Sequence, residues 1–108
     1  MLNIKELKSS YKFPRNKHGQ IEWTKLIGHI PRTECVYGIY HKDQLIYIGT
    51  TENFYVRLKR HFMSPKKIEF SKYLLDNFSE IDYSILHHRK SFKIEMELIS
   101  IYQPLFNY

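Results

Sequence analysis

This chain of 108 residues has one cysteine, Cys35, one tryptophan, four glycines and four prolines. A single thiol excludes a disulfide within the chain and any cysteine-based zinc site, and such usage gives no sign of an oxidising compartment. No apolar run approaches the roughly 20 residues that a membrane-spanning helix needs, and no leader peptide is visible, so no membrane partner is expected and a cytoplasmic setting is. Repeats and low-complexity tracts are missing too. One small domain is therefore expected, with 43% apolar and 16% aromatic residues to fill a modest core. Negative charge is also scarce: 11 Asp and Glu against 17 Lys and Arg leave a net charge of +6. That balance suits an acidic polymer as partner. The cations are scattered over Lys5, Lys8, Lys12, Arg15 and Lys17, then Lys66 and Lys67, then Arg89, Lys90 and Lys93, and each group serves equally well as a solvated face.

Because glycine is rare here, its placement matters. Gly38-Ile39-Tyr40 and Tyr47-Ile48-Gly49 flank the polar break His41-Lys42-Asp43-Gln44. The β-rich runs Cys35 to Tyr40 and Leu45 to Gly49 predict a hairpin closed by a four-residue loop. With Tyr40 paired near Leu45 and side chains alternating strictly, Gly38 falls opposite Tyr47. Val36, Gly38, Tyr40, Leu45, Tyr47 and Gly49 then project from one face. Two phenols beside two glycines read as one wall of a site, since glycine weakens a strand and marks close approach by another group. Strand propensity alone accounts for the same tyrosines in a purely structural hairpin.

Thr50 to Asn53 supplies capping residues for a helix from Phe54 to Phe62, whose apolar arc holds Phe54, Tyr55, Leu58 and Phe62. Arg57 and His61, four apart and stacked, lie on the margin of that arc, whereas Lys59 and Arg60 lie farther out. A solvated basic helix with Arg57 snorkelling explains the pattern equally well. A second helix is predicted from Ser91 to Tyr102, with Phe92, Ile94, Met96, Leu98, Ile99, Ile101 and Tyr102 along one broad arc. Glu95 falls in the middle of this arc, and Glu97, Lys93 and Ser100 fall opposite. A carboxylate among apolar neighbours is costly unless it is paired, hydrogen-bonded or bound to a metal, and a buried ion pair with Arg57 is the simplest structural explanation. Pro104 stops the helix, and Asn107 arrives one residue before the last one. Between these helices, Phe70 to Phe78 reads as helix and Ile81 to Leu86 as a third strand. His87 and His88 are adjacent on an extended segment and cannot chelate one metal together. Residues 1–34 read as an extension packed on the core, with a polar middle from Pro14 to Gln20 and a short helix from Ile21 to Ile30 closed by Pro31.

The ordered set Gly38-Ile39-Tyr40, Tyr47-Ile48-Gly49, Arg57 with His61, Glu95 followed by Pro104, and Asn107 resembles the GIY-YIG nuclease domain over about residues 35–108. The stretch from Tyr47 to Phe62 is especially similar to the catalytic domains of phage homing endonucleases. The resemblance implies an α/β (α+β) domain with a small, mainly antiparallel three-stranded sheet flanked by helices. It further implies a divalent-metal-dependent phosphodiesterase that acts on double-stranded DNA in a bacterial or phage-infected cell. On that resemblance Tyr40 is the expected general base and Tyr47 orients water or phosphate. Arg57 holds the scissile phosphate, and Glu95 is the single protein ligand to Mg²⁺ or Mn²⁺. His61 relays protons or binds phosphate, and Asn107 fixes geometry near the site. Arg57, Lys59, Arg60, Lys66 and Lys67 are the expected nucleic-acid contacts. The chain leaves no room for an appended DNA-binding domain, so specificity is expected from the extension, the loops, a homodimer or a protein partner. A non-catalytic nucleic-acid-binding or regulatory module on the same fold is the alternative.

Overall fold

The computed structural model describes residues 11–12, 17–18, 30–63 and 68–107. The helix expected over Ile21 to Ile30 lies outside the described residues except for its buried last residue, and Lys66 and Lys67 lie outside them altogether. Strands β1 (Tyr11–Lys12), β2 (Cys35–His41), β3 (Gln44–Thr51) and β4 (Ile81–His87) form one antiparallel sheet in the order β1-β4-β2-β3. Helices α1 (Phe54–Met63), α2 (Ile68–Asp76) and α3 (Phe92–Tyr102) flank it, and a 3-10 turn covers Phe78–Glu80. The three long strands are those expected. The fourth, β1, adds two residues from the N-terminal extension, with Tyr11 opposite Tyr83 and Lys12 opposite Asp82.

Strand β2 lies between two other strands and is covered on both faces. Cys35, Tyr37 and Ile39 join Ile46, Ile81 and Tyr83 beneath Phe54, Leu58 and Phe62 of α1 and Phe70 and Leu74 of α2. Val36 and Tyr40 join Ile48 and Leu86 on the other face, beneath Leu98 of α3, with Ile94, Ile99 and Tyr102 packed around them. A strand buried on both sides is apolar throughout, which is why Cys35 to Tyr40 shows no alternation.

The hairpin turn is tighter than the four-residue loop expected. His41 pairs with Gln44, leaving only Lys42 and Asp43 to turn, at φ 49° and 66°. Turns with positive φ at both central residues match the twist of the flanking strands. Lys42 is held in this conformation by its N–H, which donates to the Glu80 carbonyl at 3.2 Å, and by its ammonium, 3.0 Å from the Glu80 carboxylate.

Helix α1 starts where Asn53 Oδ1 accepts the Val56 N–H at 3.2 Å, and the loop before β2 satisfies two further N-terminal donors. Phe54 and Tyr55 donate to the carbonyls of Thr33 and Pro31 at 3.1 and 3.2 Å. Ser91 caps α3 by accepting the Ile94 N–H at 3.1 Å, and Gln103 in left-handed conformation, followed by buried Pro104, ends it. The apolar arc of α3 is buried more narrowly than expected. Leu98 is buried and Ile94, Ile99 and Tyr102 are half-buried, but Phe92, Met96 and Ile101 are exposed, because only one side of α3 meets the sheet.

Candidate active site

The register of the hairpin decides which side chains share a cleft. Tyr40 pairs with Leu45, but the next pair is Ile39 with Tyr47, so Ile46 is an extra residue on β3. Such a bulge is equivalent to a one-residue slip and moves every later side chain of β3 to the other face. Tyr47 therefore sits over Tyr37 and Ile39, and Ile48 takes the face expected for Tyr47. Gly38 and Gly49 end on opposite faces: a Cβ on Gly38 would meet Leu45 and Leu86, and one on Gly49 would lie 2.5 Å from the Tyr37 hydroxyl.

This register overturns the expected placement of Tyr40. Its ring is almost fully buried on the α3 face, among Val36, Ile48, Leu86 and Leu98, beside Ser84 and Tyr102. Burial pushes its phenol up to about 12, although the Ser84 hydroxyl pulls the other way. Tyr40 thus shares no face with Tyr47, and the tyrosine that does is Tyr37, which the sequence reading passed over.

Tyr37, Tyr47 and His61 form a packed aromatic group beneath α1 and α2. The Tyr37 hydroxyl and His61 Nε2 are 2.5 Å apart, and the Tyr47 ring meets His61 edge-on at 4.8 Å between centroids. Phe70 stacks on Tyr47 at 5.0 Å and meets His61 edge-on at 5.3 Å, closing the group from α2. Ser71 donates to the His61 carbonyl at 2.5 Å, tying the end of α1 to α2. The absent side chain of Gly49 leaves the space into which the Tyr37 hydroxyl reaches.

The two phenols are not equivalent. Burial pushes both up, and Tyr37, which has no exposed surface, is held well above the ordinary value. Tyr47 is only half-buried, and its rise is moderated by the Arg57 guanidinium and by a hydrogen bond with Tyr37 that favours the ionised form of Tyr47. The Tyr47 hydroxyl is thus the easier of the two to deprotonate.

Glu95 approaches from α3 past the β3 edge. It is half-buried, and burial raises its carboxyl above the usual carboxylate range, against the pull of the Thr50 backbone N–H that it accepts and of Arg57. Its charge is also felt at Tyr47. Thr50 fixes the start of α3 as well, since its hydroxyl donates to the Cys35 carbonyl at 3.3 Å and accepts the Ser91 N–H at 3.1 Å. Glu97 on the same helix is exposed.

The Arg57 guanidinium acts on both Tyr47 and Glu95, and it lines a cleft of about 300 Å³ with Glu52, Asn53, Val56, Arg60, Lys90 and Phe92. Lys59 is exposed and does not line this cleft. Asn107 supports the wall from behind: its amide accepts the Ile48 N–H at 2.7 Å and donates to the Ile48 carbonyl at 2.8 Å, and the Phe106 N–H donates to the Ile46 carbonyl at 2.9 Å. The C-terminal segment so pairs with the β3 edge on either side of Tyr47. The structure therefore gathers Tyr37, Tyr47, Arg57, His61 and Glu95, and leaves Tyr40 on the other face.

No described residues form a cluster of three or more His, Cys, Asp and Glu able to enclose a cation. Glu95 is the half-buried carboxylate beside Arg57, and Glu52 lines the Arg57 cleft from the loop before α1; so few carboxylates suit Mg²⁺, an ion that keeps much of its water.

A model of the GIY-YIG catalytic domain matches residues 33–108. UvrABC system protein C of Mycoplasmoides gallisepticum is 28% identical over 67 residues, which make up 62% of this chain and 11% of that protein's length. This chain thus spans about a tenth of that curated relative. Among solved structures, the GIY-YIG N-terminal endonuclease domain of UvrC from Thermotoga maritima, bound to its catalytic magnesium, aligns with a TM-score of 0.59 and 24% identity, covering 82% of this chain and 99% of that one. A mutant of bacteriophage T4 EndoII aligns with a TM-score of 0.62 and 16% identity, covering 97% of this chain and 95% of that one.

Proposed function

The chain belongs to the GIY-YIG catalytic domain family, and from that premise we propose that it is a divalent-metal-dependent endonuclease that nicks double-stranded DNA through the cleft between α1 and α3. One observation carries the reading. Glu95, a half-buried carboxylate on an otherwise apolar side of its helix, accepts the Thr50 N–H, lies in the field of Arg57 and acts by its own charge on the Tyr47 phenol.

Arg57 receives the scissile phosphate, because a guanidinium fork matches two phosphate oxygens. Tyr47 takes the proton from the attacking water. An ordinary phenol has a pKa near 10, so it is a poor base unless nearby positive charge favours the phenolate, and Arg57 supplies some of that charge here. Tyr37 does not touch substrate in this reading: it holds His61 and hydrogen-bonds Tyr47, which positions the base. The Tyr37 hydroxyl, hydrogen-bonded to Tyr47 and to His61 Nε2, gives a route by which a proton passes from Tyr47 onward to His61. Glu95 holds Mg²⁺ or Mn²⁺, which supplies Lewis-acid stabilisation of the charge that builds on the phosphate. Asn107 keeps the Tyr47 strand in place through the Ile48 backbone.

One such site cuts one strand, so clean duplex breaks require a second site, from a second copy or a repeated event. The test is relaxation of supercoiled plasmid at stoichiometric protein. Nicked circles with Mg²⁺ or Mn²⁺ and none with chelator support the reading. Binding of the same plasmid with no nicking at any metal concentration would instead leave a non-catalytic nucleic-acid-binding module.

A further inference from the structure

Phe92 is the first residue of α3, and its side chain is 67% exposed, more than any other large apolar residue among the described ones. It does not lie on the open surface. It lines the 300 Å³ cleft beside Arg57, facing Val56, which is itself 39% exposed, and the cations Arg60 and Lys90. Burying Phe92 against the sheet would need α3 to turn away from the orientation that buries Leu98 and brings Glu95 to Thr50. Glu52 also lines the cleft and takes Lys90 in an ion pair at 3.0 Å, which leaves Arg57 and Arg60 as the cations beside the ring. An exposed aromatic ring next to two such arginines is complementary to the flat face of a nucleobase joined to the phosphates that those arginines hold. The cleft volume stands at the low end of small-ligand pockets, a size that one base fills.

We propose that Phe92 is a stacking residue that receives a base beside the scissile phosphate and so sets the substrate strand in register with Arg57 and Glu95. The proposal rests on the endonuclease reading and deepens it. A stacked aromatic contributes through its π face and Arg60 through charge, so the two contributions respond differently to substitution and to salt.

The experiment uses the intact chain, a supercoiled plasmid for nicking with Mg²⁺, and a fluorescein-labelled duplex oligonucleotide for binding in chelator. Phe92→Ala is expected to weaken binding or slow single-turnover nicking by about tenfold or more. Phe92→Trp should restore both, and Phe92→Leu, of similar bulk without a π face, should not. Because Phe92 is exposed, thermal midpoints should stay together, and the slope of binding against salt should not change. Arg60→Ala, by contrast, should make that slope shallower by about 1. Wild-type binding together with wild-type nicking in Phe92→Ala, or equal rescue by Leu and Trp, would overturn stacking and leave the nuclease reading intact. A wild-type protein that neither binds nor nicks would overturn both.

Discussion

Tyr37 and Tyr40 lie three residues apart on one strand and face opposite sides of the sheet, so removing each hydroxyl gives different outcomes. Tyr47→Phe is expected to slow single-turnover nicking by about 10² or more, because it removes the proton acceptor with almost no change in shape. Tyr37→Phe should cost less, about tenfold, because it loses only the hydrogen bonds that orient His61 and Tyr47. Tyr40→Phe should cut at nearly the wild-type rate. Quench-flow rates for the three variants check the order. The pH dependence has a definite sign. Burial keeps the Tyr47 phenol above its ordinary value, so at neutral pH it is protonated and the active fraction grows as pH rises. Nicking should increase between about pH 6 and pH 9, and Tyr47→Phe should flatten that rise. At Gly49, a methyl group would meet the Tyr37 ring and hydroxyl. Gly49→Ala should therefore destabilise the fold by about 1–3 kcal/mol in urea unfolding and also impair nicking.

At the scale of elements, how much could be read depended on how strongly each segment separates its two sides. Helices α1 and α3 were legible to within about two residues, since capping residues and a 3.6-residue period mark them, and strand β4 was legible from its β-rich run. Glu95 stood out because one charge in an apolar arc is conspicuous, and its half-buried position beside Arg57 accords with that reading. Strand β2 offered no such contrast. It is apolar on both faces, so alternation could not say whether Tyr37 or Tyr40 faces the cleft. The bulge at Ile46 was equally silent, and the one available hint was the unbroken apolar run Leu45-Ile46-Tyr47-Ile48, which a regular edge strand with one solvated face would not show. The exposure of Phe92 was hidden for a related reason, because helical period gives an arc but not its burial. Asn107 belongs to this scale. Its amide makes two bonds to the Ile48 backbone, so Asn107→Ala should cost about 1–2 kcal/mol and speed hydrogen exchange at the Ile48 and Phe106 amides far more than at β4.

At the scale of the whole molecule, among the described residues α1 and α2 cover one side of the sheet and α3 the other, and Arg57 of α1 and Glu95 of α3 act on each other beside the β3 edge. On the proposed function, an aromatic group from the α1 side and a carboxylate from the α3 side would act on one phosphate, with the proposed catalytic parts held by rigid elements rather than by loops. The net charge of +6 would attract DNA, the proposed substrate, without choosing a sequence. The most direct measurement is a comparison of Glu95→Gln with Glu97→Gln, two neutralisations of equal charge two residues apart on α3, read by Mg²⁺-dependent plasmid nicking and by Mn²⁺ binding in electron paramagnetic resonance. Glu95→Gln should reduce nicking to background and lose the bound Mn²⁺ while still binding the duplex oligonucleotide, and Glu97→Gln should match wild type in all three. Equal losses in the two variants, or full nicking by Glu95→Gln, would contradict a single metal held by Glu95 in this cleft.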